Sequence, residues 1–212
     1  MKNLYTIILL TLLSLLMPSL AAAQSFQNVS IADASTVCSI AQDEQGILWF
    51  GTDHGLYAYD GYRSIPHNTD ADGTPVITRV HSICIFKDML YMATERGLMA
   101  YDIRRGRYAE RTSGGMGEMR AVTIYGGRLW YGGAQGLFSR DLQTGTKRTE
   151  NARLHNVYSL LPTRHGLLVG TLTGLTVLRN GKAQPIRIGE GSQPLVNALL
   201  GDGESAWIGT EG

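Results

Sequence analysis

Eighteen carboxylates and five histidines are the residues of this 212-residue chain from which an enzyme would have to be built. Hydrolysis of a glycosidic bond needs two carboxylates about 5–10 Å apart that converge on one sugar. The acids here, among them Asp43, Asp60, Asp102, Asp141 and Asp202, fall mainly in segments that read as turns, where an Asp side chain closes the turn on its own backbone. His54, His67, His81, His155 and His165 show no metal-ligand spacing, and no Ser-His-Asp or Cys-His grouping stands out. His67-Asn68-Thr69-Asp70-Ala71-Asp72-Gly73 has some of the acid spacing of a calcium loop, but its twelfth position from Asp70 is His81 instead of Glu, so it reads as a solvated loop. Gly189-Glu190-Gly191 and Gly201-Asp202-Gly203 lack the flanking strand and helix of a nucleotide fingerprint and read as hairpin turns. These residues nominate no catalytic group, no metal and no cofactor.

The elements that would position any site are written in a phrase that recurs five times: Trp49-Phe50-Gly51-Thr52, Tyr91-Met92-Ala93-Thr94, Trp130-Tyr131-Gly132-Gly133, Leu168-Val169-Gly170-Thr171 and Trp207-Ile208-Gly209-Thr210. The first four copies continue with two variable residues and Gly-Leu, and the third positions lie 42, 39, 38 and 39 residues apart. A period near forty built from strand-like segments predicts propeller blades, since a helical solenoid would show 3.6-residue periodicity inside each unit. The predicted fold is all-β: a propeller of four-stranded antiparallel blades.

Inside each repeat the first strand reads Val37–Ile40, Val80–Ile83, Val157–Leu160 and Val196–Leu199, followed by an Asp- and Gly-rich turn. The recurring phrase is the second strand, apolar on both faces as suits a strand between neighbouring sheets. Gly55, Gly97, Gly136 and Gly174 mark the next turn, where positive φ is expected. A third strand follows, ending in Tyr-Asp in the first two repeats, and a more polar fourth strand (Tyr62–Ile65, Arg107–Arg111, Ala183–Ile188) forms the outer edge. Burying a Trp removes on the order of 150–250 Å² from water, worth roughly 4–6 kcal/mol as an upper bound. Trp49, Trp130 and Trp207 are therefore expected as wedges between blades, with Tyr91 and Leu168 filling the slot elsewhere. The small residue two positions later lets the adjacent sheet approach.

Residues 1–23 read as a cleaved secretory signal: Lys2 precedes an apolar run from Leu4 to Met17, and Ala21-Ala22-Ala23 offers the small-residue site of a signal peptidase. Fourteen helical residues span roughly 21 Å, short of the roughly 30 Å of a bilayer core. Lys2 is the only charge in that segment, so its removal takes the formal net charge from +1 to zero, and a neutral chain makes no electrostatic case for nucleic acid. Cys38 and Cys84, in equivalent strands at positions of opposite parity, read as two buried thiols in preference to a bridge. The run Arg104-Arg105-Gly106-Arg107 reads as an exposed hairpin turn.

Residues 37–60, with an apolar strand, Asp-x-x-Gly, Leu-Trp-Phe-Gly-Thr, two residues, Gly-Leu and Tyr-Asp, resemble the regulator-propeller repeat of bacterial two-component sensors. The chain lacks the Gly-His and Trp-Asp signature of WD40 repeats and the paired glycines of kelch repeats. The resemblance spans essentially 24–212 and is weakest in the second repeat, where Ala93 replaces Gly. It implies a periplasmic ligand sensor, common in gut Bacteroidetes. Such a sensor typically binds an oligosaccharide and is joined by a membrane helix to a cytoplasmic histidine kinase. A full-length sensor of this kind would be anchored in the inner membrane through a downstream segment, with a homodimer open to it. At about forty residues per blade, 24–212 holds between four and five blades. The chain thus reads as the front of a longer protein, with a seven-bladed ring left incomplete and a bare edge prone to aggregate. The alternative function is an exported propeller enzyme, a lyase or glycosidase.

In a propeller, polar side chains from several blades converge at an axial end. The residues flanking the start of the first strand are the ligand-binding candidates: Thr36, Arg79, His81, Arg120, Asn156, Tyr158 and Asn197. Arg and Asn offer directional hydrogen bonds to hydroxyls or carboxylates, and Tyr158 offers a face for a sugar.

Overall fold

The computed structural model describes residues 28–31, 34–110, 117–151 and 154–211. The predicted signal at 1–23, Arg111 at the end of one predicted strand, and Gly212 lie outside the described residues. The strands all fall in the unit Ile31–Gly212. The first sheet comprises β1 (Val37–Gln42), β2 (Leu48–Thr52), β3 (Gly55–Tyr59) and β4 (Ser64–Pro66). The second comprises β5 (Val80–Phe86), β6 (Met89–Thr94), β7 (Gly97–Asp102) and β8 (Arg107–Glu110). The third comprises β9 (Met119–Tyr125), β10 (Arg128–Gly133), β11 (Gly136–Asp141) and β12 (Lys147–Asn151). The fourth comprises β13 (Val157–Thr163), β14 (Gly166–Thr171), β15 (Gly174–Arg179) and β16 (Lys182–Ile186), and a two-stranded sheet follows with β17 (Val196–Asp202) and β18 (Ser205–Thr210).

Within every sheet, neighbours in sequence are neighbours in space and run antiparallel. The strands β1, β5, β9, β13 and β17 pack side by side in that order, so the first strand of each repeat is innermost. The fold is a β-propeller.

Local chemistry explains the strand boundaries. At the second turn of the blade, Gly55, Gly97, Gly136 and Gly174 have φ of 117°, 111°, 134° and 118°, a region that glycine alone enters readily. The phrase's Thr holds the same turn shut: Thr52 Oγ donates to Gly55 O and accepts from His54 N, and Thr94 and Thr171 repeat the pattern. The predicted strand Tyr62–Ile65 begins later, at Ser64, because Asp60 Oδ1 accepts hydrogen bonds from the N–H groups of Tyr62 and Arg63 and keeps them in a turn. The predicted strand ending at Ile188 stops at Ile186; Ile188 N turns out of the ladder to donate to Gln193 Oε1.

The core lies between sheets. Trp49 is 4 % exposed and packs against Leu90, Met92 and Tyr101 of the second sheet, with its indole N–H satisfied by Asp43 Oδ2 at 2.8 Å. Tyr91 packs with Leu129 and Tyr131 of the third sheet, Trp130 with Leu167 and Val169 of the fourth, and Leu168 with Val196 and Leu199 of the fifth. The small residue of the phrase has the expected role. A Cβ on Gly51 would sit 2.8 Å from Val80 Cγ1, one on Gly132 2.7 Å from Val157 Cβ, and one on Gly170 2.7 Å from Val196 Cγ1. In each case there is a collision with the first residue of the next innermost strand, and at Gly170 also, closer still, with Ser159 Oγ of its own sheet.

Two expectations are corrected. Trp207 is 66 % exposed, not buried between blades, because among the described residues no sheet lies against β18; a Cβ on Gly209 would meet only β17 of its own sheet, at Ala198 and Asn197. Cys38 is likewise exposed on β1 instead of buried, while Cys84 is half-buried in the second interblade core; both are free thiols. Burial pushes the Cys84 thiol up to about 12.

Candidate functional site

The innermost strands share an irregularity that the repeat alignment hides. Val37 pairs with Thr52 and Ser39 with Gly51, which leaves Cys38 as an extra residue. The same slip isolates His81 in β5, Arg120 in β9, Tyr158 in β13 and Asn197 in β17. An extra residue in one strand of an antiparallel pair bends that strand and re-aims its side chain out of the ladder. Each sheet therefore delivers one bulged side chain at the same point of its innermost strand, and four of the five are predicted ligand-binding residues. Cys38 belongs to the set and was missed, because a lone cysteine in one copy gives no polar signal.

The bulges are pinned from both sides. The Gly or Ala opposite each bulge admits the next innermost strand, and the serine after it crosses to that strand. Ser39 Oγ accepts from Ile83 N at 3.0 Å, Ser82 Oγ accepts from Val122 N at 3.4 Å, and Ser159 Oγ donates to Val196 O at 3.3 Å. The third copy has Ala121 at this position and makes no such bond.

The side chains form a linked series. His81 Nε2 lies 3.1 Å from Glu118 Oε1 without the alignment of a hydrogen bond. Arg120 Nη2 donates to Glu118 Oε2 at 2.9 Å, and the Arg120 guanidinium lies over the Tyr158 ring, 4.4 Å from its centroid. The hydrogen bond from Arg120 is the main cause that holds the Glu118 carboxyl below the usual range, and it raises Arg120 in turn. Burial lowers the pKa of His81 more than the nearby Glu118 and Glu95 raise it, which favours the neutral ring. Glu118 occupies the column of Thr36, Arg79 and Asn156, one residue before the strand; that column could have been read from the repeat alignment.

The predicted residues do not all stand free. One face of Tyr158 is covered by Arg120, so it is not open on both sides. Asn156 has φ of 51° and a committed backbone: its N–H donates to Ala134 O at 3.3 Å and its carbonyl accepts from Leu172 N at 3.1 Å. Thr36 N donates to Asp53 Oδ1 at 3.2 Å, and Ser35 Oγ donates to the same carboxylate, which is the chief reason its pKa is lowered. Asn197 is exposed. Arg79 is half-buried, and its guanidinium makes no hydrogen bond or ion pair among the described residues, although its charge acts on Cys38, His81 and Glu118.

Several aspartates behave as turn residues. Asp102 Oδ1 accepts from Arg105 N, and Asp141 Oδ1 from Gln143 N and Thr144 N. In the loop from His67 to Gly73, Asp70 Oδ1 accepts from Ala71 N and Asp72 Oδ1 from Thr74 N, within a hairpin closed by the Thr69–Pro75 bridge. Among the described residues no group of three or more His, Cys, Asp or Glu side chains is placed to hold a metal ion. A cavity of about 470 Å³ lies against the fourth sheet at His155, Thr171, Thr173, Arg187 and Gln193, with no bulged residue in its lining. A second, about 360 Å³, opens between the fourth and fifth sheets beside Arg164 and Glu204.

The chain is similar to the extracellular domain of a B. thetaiotaomicron protein described as a hybrid two component system, BT4673. Identity is 32% and the TM-score 0.78, over 89% of this chain and 27% of that one. The extracellular domain of a second such B. thetaiotaomicron protein, BT3049, matches at 22% identity and a TM-score of 0.71, over 87% of this chain and 29% of that one. The designed protein Ika8 matches at 18% identity and a TM-score of 0.62, over 86% of this chain and 58% of that one. The last two share the fold alone, and this chain spans under a third of the two extracellular domains. No curated protein matches the chain. Residues 31–54 match the model of the two component regulator propeller family. The copies that follow the matched segment share its strand plan and innermost bulge.

Proposed function

We propose that this chain is an exported, ligand-sensing part of a two-component signal-transduction sensor. It recognises an oligosaccharide at the axial end where the bulged side chains emerge and passes binding to a histidine kinase beyond it. The observation that carries the reading is the similarity to an extracellular domain of a hybrid two component system over 89% of this chain. The apolar leader at 1–23 supports export to the periplasm, and anchoring in the inner membrane and a homodimeric full-length sensor belong to the same reading. The bulged set is chemically suited to sugars: Arg120 and Asn197 present directional hydrogen-bond donors, and Tyr158 presents one aromatic face. A ligand would act by binding one of two sensor states more tightly.

A glycosidase would need two carboxyls, one of them free to give up a proton. Glu118, a carboxylate beside the bulged side chains, is instead held ionised chiefly by its hydrogen bond from Arg120. The complete reading frame tests the sensor reading: it should encode a membrane-spanning helix and then a kinase region with its phosphorylatable His. A frame that continues into a hydrolase domain, or closes with no spanning segment, sinks it.

A further inference from the structure

We infer that the cavity of about 470 Å³ against the fourth sheet is a saccharide subsite, entered by the outer end of an oligosaccharide whose inner end lies on the bulged side chains. This deepens the sensor reading and rests on it. The inference comes from where the cavity lies and from which of its polar groups have no partner. Thr171 pairs with Val157, the residue before the bulged Tyr158; farther out, Leu175 pairs with Ile186 and Thr176 with Pro185. Thr171, Leu175, Thr176, Pro185 and Ile186 all line the cavity, so it lies at the same end of the sheet as Tyr158. Strands about 4.8 Å apart put it about 5–15 Å outward from the innermost strand. A ligand that touches Tyr158 and also enters the cavity is therefore longer than a single sugar ring.

The lining suits one sugar unit, with its apolar face and its ring of hydroxyls. Leu154, Leu175, Pro185 and Ile186 form an apolar wall, and no carboxylate lines the cavity, which removes the case for a cation. Thr176 is half-buried, and its hydroxyl makes no hydrogen bond among the described residues. Gln193 Oε1 accepts from Ile188 N at 2.8 Å, which leaves the amide N–H groups of Gln193 as donors without a partner among the described residues. Gln193 is seated before any ligand arrives: a Cβ on Gly174 would stand 2.9 Å from Gln193 Cβ, so glycine is what admits it. A preformed hollow with a few fixed polar groups, within the range of about 300–1,000 Å³, is the usual form of a small-molecule site. The first sheet supplies the comparison. At the equivalent place its cavity, about 370 Å³, is lined by His54, Tyr57 and Pro66 where the fourth sheet has Thr173, Thr176 and Pro185. The hollow itself thus belongs to the blade plan, and at the fourth sheet two rings have given way to two threonines, with more room and two hydroxyls.

The test is an array of oligosaccharides graded in length, probed with the purified full chain, followed by titration of the best-bound series against T173W and T176V variants. Thr173 is exposed and its equivalents in the other copies are His54, Arg96 and Gln135, so the position takes a large side chain, and a Trp there fills the cavity mouth. T173W should weaken the longer members by at least about tenfold. T176V, which keeps the shape and removes one hydroxyl, should weaken them by about twofold to tenfold, the worth of one hydrogen bond, and carries the test if T173W folds poorly. Both should leave the melting temperature and the affinity of the shorter members at the parent's values, which separates a ligand contact from a structural one. Longer members that bind both variants as tightly as the parent, or an equal loss for short and long members, overturn the subsite and leave the sensor reading standing. Binding of no member of the array counts against both.

Discussion

Packing between blades depends on single atoms at the phrase's third position. Gly132 has no room for a Cβ, because Val157 Cβ and Cγ1 both stand 2.7 Å from where it would be. Gly132→Ala is therefore expected to destabilise the chain by about 1–3 kcal/mol through overpacking, measured by urea unfolding. Pairing it with Val157→Ala removes the colliding methyls, so the double variant should be less destabilised than the sum of the two singles. Strict additivity would mean that the glycine is present for some other reason. The second copy tolerates Ala93, fully buried in the core between the second and third sheets. There the next innermost strand begins with the unbranched Met119 instead of a valine.

At the scale of the element, the innermost strand is an edge strand on the side that faces its neighbours. Its outward N–H groups must find partners across the gap between sheets. The serine after the bulge meets that need in the first two copies, where Ser39 Oγ accepts from Ile83 N and Ser82 Oγ from Val122 N. Ser39→Ala should cost about 0.5–1.5 kcal/mol and speed hydrogen exchange at the Ile83 amide ahead of other β5 amides. Unchanged protection at Ile83 would show that the contact carries no free energy. The third copy, with Ala121, is in effect the natural version of this substitution. The Val-x-Ser pattern was legible in the sequence, in Val37–Ser39, Val80–Ser82 and Val157–Ser159. What it meant was not, because an alternating strand and a bulged one can be written with the same residue types, and only the pairing partner counts residues across the ladder.

At the scale of the whole molecule, the same phrase has two outcomes. Trp49 and Trp130 are 4 % and 7 % exposed, while Trp207 is 66 % exposed beside Leu200 at 67 %. In this chain, iodide should quench one tryptophan of three, and Trp207→Phe should remove that accessible fraction. Trp130→Ala should cost about 3–5 kcal/mol. Trp207→Ala should cost under about 0.5 kcal/mol, as for a surface change. Equal quenching of all three tryptophans would contradict the stacked arrangement of sheets.

The residues alone determined the period, the four-stranded unit, the turn glycines and four interblade wedges, Trp49, Tyr91, Trp130 and Leu168. Those follow from local rules: alternation along a strand, φ at a hairpin, and the apolar character of a strand covered on both faces. The axial candidates Arg79, His81, Arg120, Tyr158 and Asn197 were also found by repeat position. Only the tertiary structure decided that four of them sit on a shared bulge, that Glu118 ties His81 to Arg120, that Arg120 covers one face of Tyr158, and that Trp207 lies open. The bulge depends on the next strand of the same sheet, and the others on a neighbour about forty residues away in the chain. A repeat states what every copy can present, and the adjoining copy decides what is buried, paired or left free.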